Sequence, residues 1–297
     1  MLQYLHMKNN QTISLSLTKV QIEKLKQTYR SSLVVSNNPY MDCMIKIDGC
    51  TISVYLSDKV VFQGPLAIEM ATLLGYKEIT FTPHIGSDEV GTGDYFGPVC
   101  VCAAYVDEDI AKQVESFGIK DSKLLTDELI VKIANQLRDV VPHSLLILPN
   151  NRYNIIHQTN NLNKIKAKLH NQAIAHLLKK IKHTPMIVVD QFSPEKQYYG
   201  YLTQETTIIH NITFETKAEN KYLGVAIGAI FARAAFVEAF KQLEKQLDMP
   251  LPKGAGDGVD RAAMAIVKQH GWATLQRVAK MHFKNTLKVQ EQLKTDD

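Results

Sequence analysis

The run Asp88-Glu89-Val90-Gly91-Thr92-Gly93-Asp94-Tyr95-Phe96-Gly97-Pro98 decides how this chain is read. It joins two adjacent carboxylates to three glycines. Carboxylate oxygens are the donors that hard cations take, and glycine lets a backbone approach a ligand closely. The residues that follow, Val99-Cys100-Val101-Cys102-Ala103-Ala104-Tyr105-Val106, are apolar and β-prone. The acids therefore lie where one strand ends and another begins. An isolated Asp-Glu pair is most often a solvated hairpin turn, because charged side chains are seldom buried. Beside a Gly-rich turn at a strand end, the pair also fits a cation site that works on a phosphate-bearing substrate. Other segments decide between the two readings.

Two such segments carry further acids. Met186-Ile187-Val188-Val189-Asp190 is an apolar strand that ends in a carboxylate, which places Asp190 at the carboxyl edge of a sheet, a common site position in α/β folds. Thr216-Lys217-Ala218-Glu219-Asn220 precedes a long helical stretch from Lys221 to Leu247. Glu219 is expected near that helix's N-terminus, where the helix dipole favours an anion. The stretch contains Gly224, Ala226, Gly228, Ala229, Ala232, Ala234 and Ala235, small residues that allow close packing on a sheet. Brought together, Asp88, Glu89, Asp190 and Glu219 would repel one another and raise one another's pKa. A divalent cation would relieve that repulsion. An oxygen-only donor set without a Cys or His cluster favours Mg²⁺ or Mn²⁺ over zinc.

At 297 residues the chain has room for one large domain or two. Its 45% apolar and 22% charged residues are ordinary for a globular protein. The formal charge of +4 leans basic, and its distribution says more than its size. From Val140 to Val189 there is no Asp or Glu, while Arg152, Lys164, Lys166, Lys168, Lys179, Lys180 and Lys182 fall inside. Such a block reads either as a nucleic-acid footprint or as a solvated lysine face. The four cysteines lack paired zinc spacing. Cys100 and Cys102 lie two apart in a strand, so they share a face as small buried hydrophobes and are expected to be free thiols. The amino terminus lacks the apolar core of a signal peptide. No run reads as a membrane span of about 20 apolar residues, and a cytoplasmic location is expected.

Two parts are legible along the chain. Ser14 to Tyr29 reads as an amphipathic helix. Met41–Ile47, Thr51–Leu56 and Val60–Phe62 read as strands separated by turn signals at Asp48-Gly49 and Ser57-Asp58-Lys59. Pro65 opens a helix through Leu74, ended by Gly75. This makes a small α+β module, with a boundary expected between residues 78 and 79. Beyond it, Pro142–Leu148 and Met186–Asp190 read as strands and Leu162–Lys180 and Lys221–Leu247 as helices. Asp260 to Thr286 is helix-prone, and Gln290 to Asp297 is expected to fray. The alternation predicts an α/β fold with a mixed central sheet flanked by helices.

The opening run resembles the signature of bacterial ribonuclease HIII, within the type 2 ribonuclease H group. The resemblance continues through Lys120-Asp121-Ser122-Lys123-Leu124-Leu125, Val189-Asp190-Gln191-Phe192 and Lys217-Ala218-Glu219. It extends to Leu251-Pro252-Lys253-Gly254-Ala255-Gly256 and His282-Phe283-Lys284-Asn285-Thr286. These segments fall in the family's order across residues 80 to 290. The amino-terminal module, residues 1–78, resembles the family's TATA-binding-protein-like domain, partly through Val60-Val61-Phe62-Gln63-Gly64.

The resemblance implies a ribonuclease H-like fold over residues 79–297. It implies an endonuclease that cuts the RNA strand of RNA/DNA hybrids with Mg²⁺ or Mn²⁺, leaving 3′-hydroxyl and 5′-phosphate ends. No segment of the sequence points to an obligatory protein partner, and a monomer is expected. Asp88, Glu89, Asp190 and Glu219 become the metal-binding acids. Gly91, Thr92 and Gly93 match the element that reads the 2′-hydroxyl, the group that distinguishes RNA from DNA. Thr92 stands where relatives often have a basic residue. Ser122 and Lys123 match a substrate-contacting segment. His282, flanked by Met281 and Phe283, reads as a packing residue, and Tyr95 and Phe96 read as anchors. The rival readings are a nuclease that cuts at single embedded ribonucleotides and a hybrid-binding protein without catalysis.

Overall fold

The computed structural model describes residues 11–76, 81–119 and 125–295. The chain divides into two compact units, one ending at Thr80 and the other beginning at Phe81.

The first unit runs β1 (Gln11–Ser16), α1 (Lys19–Thr28), β2 (Leu33–Val34), β3 (Met41–Ile47), β4 (Cys50–Tyr55), β5 (Lys59–Gly64) and α2 (Ala67–Thr72). Its antiparallel sheet has the order β1-β5-β4-β3-β2. Ile22 and Leu25 of α1 and Ala67 and Ala71 of α2 pack on Ile45, Ile52, Val54, Val60 and Phe62. The helix expected from Ser14 begins later. Ser14–Ser16 belongs to β1, and Thr18 starts α1 with a reciprocal capping box to Gln21. Ile13, Leu15 and Leu17 alternate with period two, and Val20, counted on the apolar face, is 79% exposed.

The second unit runs β6 (His84–Val90), β7 (Val99–Val106), α3 (Glu108–Val114), α4 (Asp127–Leu137), β8 (His143–Leu148), α5 (Asn150–His157) and α6 (Leu162–Ile181). It continues with β9 (Met186–Asp190), α7 (Glu195–Tyr201), β10 (Ile212–Glu215), α8 (Leu223–Leu247), α9 (Asp257–His270), α10 (Trp272–Val278) and α11 (Lys284–Thr295). The sheet order is β10-β9-β6-β7-β8. β9 is parallel to β6 and β10, and β7 is antiparallel to β6 and β8. This is the mixed sheet expected from the alternation of elements.

Both faces of the sheet are covered, and period-two alternation sorts the side chains between them. Cys100, Cys102, Ala104 and Val106 meet α8 and α4, through residues such as Ile227, Ile230, Ile130 and Leu137. Val99, Val101, Ala103 and Ile85 meet α6, through Ile165, Ala173, Ile174 and Leu177. Every residue of β7 is buried. All four cysteines are free, and burial pushes the Cys100 thiol up to about 12.

The small residues of α8 do what their density predicted. A Cβ on Gly86 of β6 would lie 2.0 Å from the Val225 nitrogen, and one on Gly228 would lie 2.9 Å from the Cys102 oxygen. Only glycine permits this approach of helix to strand. By length and composition α8 also qualifies as a membrane span, which the sequence reading had excluded for any run. The qualifying window is 72% buried within the fold, so α8 is a core helix. At the carboxyl end, the helix-prone stretch from Asp260 breaks at Gly271, whose φ is +80°. α11 then continues to Thr295, through residues expected to fray.

Candidate active site

Strand alternation separates the acid pair. His84 and Gly86 of β6 meet α8, since the His84 Nε2 accepts from the Gly224 N–H at 3.0 Å and Gly86 touches Val225. Asp88 follows on that side. Ser87 faces α6, where its Oγ lies 2.7 Å from the His170 Nδ1, and Glu89 follows it there. The parallel register pairs Ser87 with Val189, so the next residue of each strand sets Asp88 beside Asp190. Val188 packs with Ala218 and Val225, which puts Asp190 on the α8 side as well. The Asp190 Oδ1 accepts from the Ala218 N–H at 2.9 Å.

Glu219 belongs to a separate 3-10 turn, Ala218–Asn220, entered through Lys217 in the left-handed region at φ 55°. Glu219 lies just ahead of the long helix, as expected, but on this turn of its own. α8 starts at Leu223, and Tyr222 caps it without a side-chain bond. The 3-10 turn, held by Asp190, delivers Glu219 to the cluster.

The electrostatics of the two neighbours are opposite. The Asp88 carboxyl is held well above the usual carboxylate range, by burial first and then by the charge of Glu89, with Asp190 and Glu219 adding to it. Its Oδ1 accepts from the Glu89 N–H at 2.7 Å, which offsets part of that rise. Burial would also push Glu89 up. The hydrogen bond and charge of His170 and the charge of Lys166 more than offset it and bring Glu89 down to about 2. The Lys166 Nζ donates to Oε1 at 2.8 Å, and the His170 Nε2 lies 2.9 Å from Oε2.

Lys166 and His170 are the residues the sequence reading missed. Lys166 counted there only as part of the basic block, yet it is 8% exposed, and His170 is fully buried. Other lysines of the block are also engaged, Lys168 with Glu205 and Lys180 with the His143 carbonyl. A signal was present in sequence. Ile165, Lys166, Ala167, His170, Asn171, Ala173 and Ile174 form a buried face of α6, and the i, i+4 spacing of Lys166 and His170 puts both on one side.

The donor set suits a hard divalent cation, because it is all carboxylate and Asp88 is destabilised by like charges. Among the described residues, no group of three or more His, Cys, Asp or Glu side chains is drawn in to hold a metal. The Glu89 oxygens face Lys166 and His170, and Asp88 and Asp190 each use one oxygen on a backbone N–H.

The glycine loop divides by cause. Gly91 has φ +92°, and a Cβ there would meet the Pro98 oxygen at 2.2 Å, so the fold itself requires glycine. Gly93 has ordinary backbone and open space around it. Thr92 between them is half-buried. Ser122 and Lys123 lie outside the described residues.

The loop is fixed from behind by the two late motifs. The Asp94 Oδ1 accepts from the Gly254 N–H at 2.7 Å, and the Tyr95 N–H donates to the Gly254 carbonyl at 2.9 Å. The Lys280 Nζ, with no exposed surface, donates to the carbonyls of Asp94 at 2.7 Å and Gly97 at 2.5 Å. Burial lowers the Lys280 pKa to about 7. Tyr95 and Phe96 are fully buried anchors, with the Tyr95 hydroxyl 2.9 Å from the Thr286 Oγ1. His282 stacks on His157 at 4.0 Å between ring centroids and packs edge-on against Phe283, as a packing residue does.

A five-stranded mixed sheet with acids at the carboxyl ends of its central strands defines a nuclease of the ribonuclease H type. The family model described as Ribonuclease HII matches residues 85–286, and one described as a domain of unknown function matches residues 12–83. A ribonuclease HIII of Streptococcus pneumoniae (strain CGSP14) is 40% identical over 284 residues, covering 93% of this chain and 98% of that protein. The crystal structure of Bst-RNase HIII in complex with Mn²⁺ is 34% identical with a TM-score of 0.69, covering 95% of this chain and 98% of that one. The Aquifex aeolicus RNase H3 structure is 25% identical with a TM-score of 0.55, covering 91% of this chain and 99% of that one. The chain belongs to the ribonuclease HIII family. It is a ribonuclease H, an endonuclease for the RNA strand of RNA/DNA hybrids that depends on divalent metal.

Proposed function

We propose that Asp88, Glu89, Asp190 and Glu219 are the catalytic acids of this ribonuclease and hold its Mg²⁺ or Mn²⁺. The observation that carries the reading is that Asp88 stands beside Asp190 at adjacent strand ends, with the Glu219 turn bonded to Asp190. Burial first and then three like charges push the Asp88 carboxyl up there, an arrangement that calls for a cation. The Mn²⁺ named in the Bst-RNase HIII structure supports the same metal class here. When bound, such a metal activates water and stabilises the charge that develops on the phosphodiester. The residues of this chain do the rest. Asp88 and Asp190 stand side by side at adjacent strand ends, and the Asp190–Ala218 bond fixes the turn that carries Glu219.

The Gly91-Thr92-Gly93 loop is the element that reads the 2′-hydroxyl, with Ser122 and Lys123 as further substrate contacts. The open surroundings of Gly93 support this, because no internal contact requires a glycine there. Asp88→Asn and Asp190→Asn are each expected to abolish cleavage of an RNA/DNA hybrid while leaving the circular dichroism spectrum unchanged. Turnover retained by either variant at saturating Mg²⁺ rejects the assignment. The same assay on a duplex with one embedded ribonucleotide separates a hybrid nuclease from a junction nuclease.

Residues 1–78 serve as the hybrid-binding module. Deleting residues 1–75 is expected to weaken hybrid binding, with the loss shrinking as salt rises, because phosphate contacts release counterions. Unchanged affinity gives the module another role. The chain acts as a monomer in the cytoplasm, where its four thiols stay reduced. Sedimentation and cell fractionation test those two points.

A further inference from the structure

Glu89 is gripped by two side chains of α6. The Lys166 Nζ and the His170 Nε2 each engage a different oxygen of it, at 2.8 and 2.9 Å. Both partners come from the buried face of α6, one turn apart. They are themselves held. The Lys166 Nζ sits 4.0 Å from the centroid of the Phe192 ring, and His170 stacks on the same ring at 5.3 Å between centroids. The Ser87 Oγ lies 2.7 Å from the His170 Nδ1. Ser87 and Glu89 stand two apart on β6, so the imidazole is gripped at both nitrogens by one strand. An ionised carboxylate only accepts, which puts a proton on the His170 Nε2.

We propose that Lys166 and His170 are positioning residues of the nuclease, and that Lys166 competes with the bound metal for the Glu89 Oε1. The inference rests on the assignment of Glu89 to the metal site. A fixed ammonium beside that oxygen repels a divalent cation, and the same ammonium and imidazole hold the carboxylate in one orientation. Lys166 therefore lowers metal affinity and raises turnover. A residue that only stabilises the fold would move both in the same direction.

The test is calorimetric titration of the full chain with Mn²⁺ in the absence of hybrid, paired with steady-state cleavage. Lys166→Met keeps the aliphatic stem and removes the charge. It is expected to bind Mn²⁺ about tenfold tighter and to lose about tenfold or more in kcat, with KM for the hybrid unchanged. Lys166→Arg restores a charge at that position and returns both values toward the parent. Mn²⁺ binding that is unchanged or weaker in Lys166→Met, or kcat held at the parent value, overturns the proposal. Should Lys166→Met fail to fold, Ser87→Ala removes only the hydroxyl behind His170. It is expected to lower kcat severalfold at constant KM, and a parental kcat overturns the role of His170. Asp88→Asn and Glu89→Gln, titrated alongside, keep the two readings apart. Parental Mn²⁺ affinity in both would reject the metal site itself, whereas weakened binding there with a parental Lys166→Met rejects only the competition.

Discussion

The two faces of the catalytic sheet treat neighbouring carboxylates in opposite ways. On the α6 face, Glu89 is buried against a lysine and a histidine and is held down to about 2. On the α8 face, Asp88 is pushed up by burial first and then by the charge of Glu89, with Asp190 and Glu219 adding to it. One residue of strand separates the two conditions. One carboxylate is held low by the protein's own groups, and the other is raised by burial and by like charges. A strained, like-charged cluster persists where function uses it. The neutralised side is what keeps the pair from being destabilising on both faces.

Breaking the α6 side has the largest expected effect. Glu89→Gln removes the acceptor charge and leaves Lys166 buried without a counter-ion. Removing one partner of a buried pair costs about 3–5 kcal/mol. Urea unfolding at neutral pH without metal measures it, and a loss below about 1 kcal/mol would mean that water screens the pair.

A second buried lysine sharpens the comparison. Lys166 has a carboxylate, whereas Lys280 is bonded to the carbonyls of Asp94 and Gly97 and is lowered to about 7. Between that value and the ordinary 10.5, the unfolded chain binds the proton that the folded chain has released. Stability therefore rises with pH across this window. The gain is on the order of 3 kcal/mol from about pH 7 to pH 10. Lys280→Met should remove that slope, and chemical denaturation of both proteins at several pH values compares them. An equal slope in both places the titration elsewhere.

How much of this was readable in the sequence follows from what the signals encode. The apolar runs of β7 and β9 and the small residues of α8 determine the sheet and its close helix without tertiary information. The acid run shows as chemistry because it sets two carboxylates beside glycines at a strand end, although Gly91 and Gly97 also serve the fold. Lys166 was hidden because a lysine on an amphipathic helix looks the same whether its stem lies along the surface or points inward. Its partner is 77 positions away in sequence. The separate turn that carries Glu219 ahead of α8 was not legible, because a left-handed Lys217, uncommon for a residue with a Cβ, starts it. β1 was overlooked because Leu15 and Leu17, which alternate as in a strand, run directly into the helical Ile22 and Leu25 and were read with them as one element.

The smallest expected effect lies on the α8 face and has the opposite sign to that of Glu89→Gln. Asp88→Asn keeps an oxygen for the Glu89 N–H, a bond now 2.7 Å long, and removes the charge that Glu89, Asp190 and Glu219 oppose. Without metal, the variant should be more stable than the parent by about 1 kcal/mol at neutral pH. Adding Mn²⁺ should reverse the order. A cation that binds only the folded state stabilises it in proportion to affinity, and the parent holds that cation better. Thermal melts of both proteins with and without Mn²⁺ give the four values. Melting temperatures that keep the same order in both conditions would mean that the repulsion on Asp88 is already relieved within the protein, and the contrast between the two faces would then disappear.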